Sequence, residues 1–368
     1  MTSALTTIRA ATFGLVVLAT AAQVPVPPGP MPPAAGVNLA GGEFGKPPGR
    51  IEHDYHYPSD EELGWAAERR FVVIRMPFLW ERVQPSLGAP LDAGELAAIV
   101  AAVERARAHR LAVILDLHGY GRWNGRVLGT PELPISALAD VWRRLARRFA
   151  GRDDVIFGMM NEPHDLPITV WAEAAQTTID AIRHAGACNL ILVPGANWTG
   201  AHSWKAEIAG VSNAAAMAGI HDPGAMAFEF HQYLDQNWSG THADCRRPEE
   251  VVAALSVATD WLRERKAHGF LGEFGAGSGA TCLAGLDAMA RHMSANADVW
   301  IGWTYWAAGA WWAPDYPLSI QPSEGVERPQ MRALERWIGD TPAPLGVCRG
   351  GTGARGNGGA AGRSRPPE

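Results

Sequence analysis

The strongest constraint on how this chain folds is an alternation that starts near Gly36. Eight short apolar or β-branched runs are separated by longer stretches with helical periodicity. The runs are Val37 to Ala40, Phe71 to Arg75, Ala112 to Leu117, Val155 to Met160, Leu190 to Val193, Met226 to His231, Phe270 to Phe274 and Val299 to Trp306. Such a pattern marks βα units around a parallel sheet. Between the runs, Ser59-Asp60-Glu61-Glu62 reads as a capping box that opens a helix through Arg70. Leu96, Ile99, Val100, Val103 and Ala106 recur at helical spacing behind Asp92, as do Leu138, Val141, Trp142, Leu145 and Phe149 behind Ser136. Trp171 to Ala185 and Val251 to Lys266 repeat the pattern. The expectation is an α/β fold, a (β/α)8 barrel in one catalytic domain. The alternative is an open doubly wound sheet, but no Gly-x-Gly-x-x-Gly follows a strand to support it.

Such a barrel needs about 250 residues, and the 368 present leave room for flanking segments. Residues 1–22 carry one basic residue, Arg9, then the apolar run Ala10 to Ala22, which ends in small residues. This reads as a signal peptide and implies a secreted protein, extracellular or periplasmic, that leaves the membrane once the signal is removed. A retained anchor is the alternative reading. Residues 23–35 form a Pro-rich tether, 36–348 the catalytic domain and 349–368 a Gly/Arg/Pro-rich tail too polar to order itself. Cys188, Cys245, Cys282 and Cys348 lack metal-type spacing. In an exported chain they admit three disulfide pairings, of which we favour Cys245 with Cys282. A net charge of -6 without a basic stripe excludes nucleic acid as a partner, and nothing in the sequence calls for an oligomer or a cofactor.

In parallel barrels the chemistry sits at the carboxyl ends of the strands, so the residues that close each run are read together. Arg75 closes the second and His118 follows the third. Asn161 and Glu162 follow the fourth, and His231 and Tyr233 lie at the end of the sixth. Glu273 falls in the seventh and Trp306 in the eighth. Two acids on one rim can protonate and attack a glycosidic bond. Fifteen Trp residues exceed what an ordinary core uses. Those in loops after strands, Trp123, Trp198, Trp204, Trp238, Trp311 and Trp312, are candidate stacking platforms for sugars.

Six segments carry a family resemblance: Arg75 to Pro85, Asp116 to Tyr120, Asn161-Glu162-Pro163, His231 to Asp235, Gly272 to Gly275 and Trp306 to Gly309. Together they make the chain resemble glycoside hydrolase family 5, and within it the cellulase-type, endo-β-1,4-glucanase-like subgroup. The resemblance runs from about Gly36 to Trp337 and includes all eight of the family's usual active-site residue types in order. It implies a retaining endo-acting glycanase in which Glu162 is acid and then base, and Glu273 is the nucleophile. In that reading Arg75 and Tyr233 keep Glu273 ionised, while burial and the charge of Glu273 keep the proton on Glu162. Asn161 bonds the 2-hydroxyl, His118 and His231 bond hydroxyls or orient the acid, and Trp306 lies beneath the ring. Trp198, Trp238 and Trp311 extend the cleft. The implied substrate is a β-glucan and the implied state a monomer, with mannan, xylan, xyloglucan and mixed-linkage glucan as alternatives on the same site.

Competing readings are weaker. A metal hydrolase could use Asp116, His118, His231 and Glu273, but no His-x-His or His-Glu-x-x-His spacing is present. A serine hydrolase lacks its Gly-x-Ser-x-Gly. A glycan-binding protein without catalysis would have no use for two spaced acids.

Overall fold

The computed structural model describes residues 32–339 and Leu345. The expected leader, the tether before residue 32 and the tail lie outside the described residues.

Eight parallel strands form a closed barrel. They are β1 (Ala34–Leu39), β2 (Val73–Phe78), β3 (Ala112–Leu117), β4 (Val155–Gly158), β5 (Ile191–Pro194), β6 (Met226–His231), β7 (Gly269–Glu273) and β8 (Trp300–Ala308). Each neighbours the next in sequence, and β1 pairs with β8 to shut the ring. The open doubly wound alternative is therefore excluded. Strand β1 starts at Ala34, so Ala34 and Ala35 belong to the barrel and not to the tether. Strand β2 starts at Val73 and not at Phe71, because Phe71 is spent outside the sheet, where its ring meets those of Trp65 and Trp303.

The helices follow local chemistry. Ser59 and Glu62 form the reciprocal capping box that opens Asp60–Glu68. Asp92 caps Ala93–Ala108 by accepting from the Glu95 N–H. Helix Ile135–Phe149 starts one residue before Ser136, on Pro134, with no side-chain cap. Ile168–His184 and Pro248–Arg265 match the two other periodic stretches. Ala280–Ala295 was not singled out by the sequence, and its N-cap is Gly279, which has no side chain to announce it.

Side chains on a strand alternate between faces, and inside this barrel the alternation builds layers. Ala34, Val73, Ile114, Ile156, Leu192, Ala227 and Phe270 form a buried apolar cluster toward the strand starts. Two residues further along, the same faces carry Gly36, Arg75, Asp116, Gly158, Glu229 and Gly272. The larger core lies outside the strands, between sheet and helices. There the indole N–H groups of Trp142 and Trp171 donate to the carbonyls of Met159 and Pro194 at 2.8 and 2.7 Å. A disulfide joins Cys245 to Cys282, and no described cysteine is free. Among the described residues no helix is long and apolar enough to cross a membrane.

Candidate active site

Arg75 is the hub from which the site is built. Its guanidinium is wholly buried on β2 and all three nitrogens are engaged. Nε donates to Glu229 Oε1 at 3.1 Å, Nη1 to Asn38 Oδ1 at 3.0 Å and to Glu273 Oε1 at 2.8 Å, and Nη2 to Asn161 Oδ1 at 2.9 Å. Nη2 also lies 3.1 Å from Asp116 Oδ1. One cation thus ties residues on or just beyond β1, β2, β3, β4, β6 and β7. Burial alone would favour its neutral form, but Asp116, Glu229 and Glu273 outweigh that and hold the charge firmly.

Glu273 is gripped from two sides. Arg75 donates to one carboxylate oxygen, and the Tyr233 hydroxyl donates to the other at 2.6 Å. Burial and the charge of Glu273 push the Tyr233 phenol far above its ordinary range, so it stays a donor. Glu162 sits past the end of β4 at φ +42°, a left-handed conformation rare for a residue with a Cβ. Neighbouring bonds hold that strained geometry: Asn161 N–H to Leu117 O at 2.8 Å, Tyr120 N–H to Asn161 O at 3.0 Å, and Trp198 N–H to Pro163 O at 3.2 Å.

His231 joins the two acids. Its Nδ1–H donates to Glu162 Oε1 at 2.7 Å and lies 3.4 Å from Glu273 Oε2. One ligand-capable atom from each of Glu162, His231 and Glu273 falls within 4.8 Å of the other two, so the two carboxylates converge. The same three residues could hold a cation, but here the His231 Nδ1–H is hydrogen-bonded to Glu162 and makes an ion-pair contact with Glu273. Burial would lower the His231 pKa, yet the surrounding glutamates, Glu273 foremost, outweigh it and raise it to about 10, which favours the charged ring. On the opposite wall the His118 Nδ1–H donates to Asp116 Oδ2 at 2.7 Å. Asp116 outweighs burial to raise the His118 pKa, and Arg75 and His118 outweigh burial to lower that of Asp116.

One electrostatic expectation is corrected. Arg75 and Tyr233 were expected to keep the pKa of Glu273 down. Instead complete burial lifts it above the usual carboxylate range; His231 and Arg75 oppose this, and the nearby charge of Glu162 adds to the rise.

The aromatic residues divide. Trp306 lies two residues before the end of β8, which runs past the expected Trp306 to Ala308, with its ring 5.7 Å from that of His118 and nearly parallel to it, and its Nε1–H donates to the Tyr316 hydroxyl at 3.1 Å. Trp198 is 46% exposed, is held in the left-handed region between Asn197 and Thr199, and stacks on His164 at 4.5 Å. Trp238 stacks on His202 at 5.2 Å. Both line one cavity of about 560 Å³ that also includes Glu162, His231 and Tyr233. Trp311 is exposed elsewhere on the rim, stacked on His56 at 4.4 Å. Trp312 stacks on Tyr316 at 4.1 Å. Two candidate platforms are corrected. Trp204 is fully buried among Phe228, Phe230 and Trp261. Trp123 is buried with its indole N–H bonded to Gln84 O at 3.1 Å.

Sequence reasoning missed Asn38 and Glu229 and considered Asp116 only as a metal ligand. The signal was spacing: Glu229 shares the face of His231, and Asp116 that of His118.

A pair of acids that converge on the carboxyl rim of a (β/α)8 barrel is an arrangement found in glycoside hydrolases. The chain belongs to the cellulases of glycosyl hydrolase family 5, whose model matches residues 42–309. It is 36% identical to an endoglucanase of Neurospora crassa, over 79% of this chain and 73% of that one. It superposes on the endo-β-1,4-glucanase of Xanthomonas axonopodis pv. citri with a TM-score of 0.82 and 48% identity, covering 83% of this chain and 98% of the other. A structure of XacCel5A in complex with cellopentaose gives a TM-score of 0.82 and 49% identity, covering 83% and 99%.

Proposed function

We propose that this chain is an endo-β-1,4-glucanase that hydrolyses internal bonds of a β-glucan with net retention, through a glycosyl-enzyme on Glu273. The observation that carries the residue assignment is the convergence of Glu162 and Glu273 to within 4.8 Å, with unequal surroundings. Glu273 has both oxygens committed to Arg75 and Tyr233, which fix it as a nucleophile aimed at one point. Glu162 is tethered through one oxygen to His231, and its other oxygen is left to exchange a proton with the leaving group.

In the first step Glu273 bonds the anomeric carbon as the glycosidic C–O bond breaks, and the leaving oxygen takes the proton of Glu162. The ester removes the charge of Glu273 and leaves Glu162 as the base for the next step. In the second step Glu162 accepts a proton from water, the water oxygen bonds the anomeric carbon, and the ester bond breaks. Asn161 bonds the 2-hydroxyl and Trp306 lies beneath the sugar, with His118 beside it. Trp198, Trp238 and Trp311 bear further sugars. The expected Glu273→Gln result is loss of turnover with cellopentaose binding retained; undiminished hydrolysis would overturn the nucleophile assignment. Full activity after exhaustive chelation is expected on this mechanism and not on a metal-dependent one.

The Asp235 to Thr241 segment resembles the endo-β-1,4-glucanases and favours cellulose-type or mixed-linkage glucans over mannan, xylan and xyloglucan. Product analysis on a panel of soluble polysaccharides tests this. We also propose export of the chain as a monomer. The apolar run Ala10 to Ala22 and the Cys245–Cys282 disulfide, a bond favoured by oxidising compartments, support the export.

A further inference from the structure

Glu229 is a buried acid that neither chemical step uses. It projects from β6 into the barrel with no exposed surface. Against its carboxylate on β7 lies Gly272, where a Cβ would come within 2.1 Å of Glu229 Oε1, so a larger residue there would collide with this carboxylate. Glu229 Oε1 accepts from Arg75 Nε at 3.1 Å. The same oxygen lies 3.6 Å from His231 Nε2, an ion-pair contact too long for a hydrogen bond. Glu229 Oε2 and His231 Nε2 are both buried without a hydrogen-bond partner, so the charge contact is what answers the ring on that side. On its other side the ring donates Nδ1–H to Glu162 Oε1. The imidazole therefore stands between a supporting acid and a reacting one.

We propose that Glu229 is a positioning residue for the acid/base: it holds the His231 ring charged and turned, so that Nδ1–H is donated to Glu162 Oε1 throughout the cycle. This deepens the reading of Glu162 as acid/base and rests on it. The proton that moves is carried by Glu162 alone. It goes to the leaving oxygen when Glu273 bonds the anomeric carbon, and is recovered from water when the ester is cleaved. His231 keeps its own proton in both steps, and between them it faces a fully charged Glu162.

The groups around the ring favour this. Arg75 from β2 opposes the charge, and Tyr233 is neutral. Asp116 from β3, Glu162 beyond β4, Glu229 on β6 and Glu273 on β7 are the acids that support it. When Glu273 is esterified its support is lost for the life of the intermediate. Glu229 is covalently uninvolved and supplies support that does not change.

The test uses the whole chain with histidines labelled for NMR. In the native protein the His231 ring is expected to remain protonated above about pH 8, well beyond an ordinary histidine; a ring already neutral at pH 7 would overturn the proposal without any variant. Glu229→Gln keeps an oxygen for Arg75 and removes the charge. It is expected to lower the pH at which His231 titrates, move the alkaline limb of kcat/KM the same way, and reduce kcat roughly tenfold. Affinity for cellopentaose should be little changed, and Glu229→Asp should restore part of the loss. A folded Glu229→Gln protein whose His231 titration and alkaline limb are both unmoved would refute the positioning role, whatever its kcat. Failure of the acid/base reading shows separately, as full turnover by Glu162→Gln, because the ring titration is read without substrate.

Discussion

The lower and upper halves of the barrel interior are built by the same strands with the same alternation, and they differ in nearly every other respect. Val73, Ile114, Ala227 and Phe270 make a dry plug. Two residues further along their strands stand Arg75, Asp116, Glu229 and Gly272. The plug needs only apolar groups of about the right size. The upper layer needs each partner, because a buried charge left alone costs far more than a lost methyl group. The lower half should therefore govern stability with little effect on chemistry, and the upper half should govern both.

The sharpest test lies at the top of the upper layer. Glu162→Gln is expected to reduce kcat on cellooligosaccharides by about 10²- to 10⁴-fold, the usual worth of a general acid. The loss should be much smaller for an aryl glycoside whose leaving group departs without protonation. Equal losses on both substrates would show that Glu162 acts on something other than the leaving group.

Arg75→Met attacks the layer beneath. It removes the common partner of Asp116, Glu229 and Glu273, and loss of one member of a buried ion pair costs roughly 3–5 kcal/mol. Denaturant unfolding should register that loss, and activity per folded molecule should fall with it. Arg75 also bears on pH. Burial raises the Glu273 pKa, and a carboxylate must be ionised to act as the proposed nucleophile, so activity should fall as pH drops through a value above the ordinary carboxylate range. Removing Arg75, which opposes the rise, should move that acid limb further up. A limb that moved down would mean that Arg75 does not face Glu273 in solution. His231 works in the other direction: its raised pKa contributes stability that is complete below about 6.5 and lost as pH rises toward about 10.

Much of this was legible in the sequence, for a geometric reason. A parallel barrel brings every carboxyl strand end to one rim, so reading His118, Asn161, Glu162, His231, Tyr233, Glu273 and Trp306 together amounted to reading one site, whereas Arg75, expected to close its strand, lies inside a β2 that runs on to Phe78 and reaches the site from below. Asn38 and Glu229 were overlooked because each sits inside an apolar run, where a polar residue resembles an interruption more than a member of a layer. Hydrophobic periodicity also says little about where a loop aromatic ends up. Trp204 and Trp198 follow the same strand six residues apart, yet one is buried and the other 46% exposed.

The lower half gives the converse test. Ile114→Ala empties part of the plug and should cost about 2–5 kcal/mol of stability, with kcat/KM of the folded protein nearly unchanged. A comparable fall in kcat/KM would mean that the plug sets the height of the charged layer, and the two halves would have to be treated as one.

The smallest expected effect separates the two tryptophans after β5. Trp198 is presented by three consecutive residues in the left-handed region, Asn197, Trp198 and Thr199, a conformation that costs of order 1–3 kcal/mol per residue and persists only where its surroundings enforce it. His164 lies nearly parallel behind its ring, which leaves the outer face free for a sugar. Trp198→Ala should therefore raise KM for cellopentaose by roughly two- to tenfold, the worth of one aromatic contact at about 0.5–1.5 kcal/mol, and leave kcat and stability almost unmoved. Trp204→Ala should do the reverse, losing about 3–5 kcal/mol of stability with KM unchanged. If instead Trp198→Ala were strongly destabilising, the ring would be a prop for the Glu162 turn, whose Pro163 carbonyl accepts from the Trp198 N–H, and the cleft would have to find its sugar platform in Trp238.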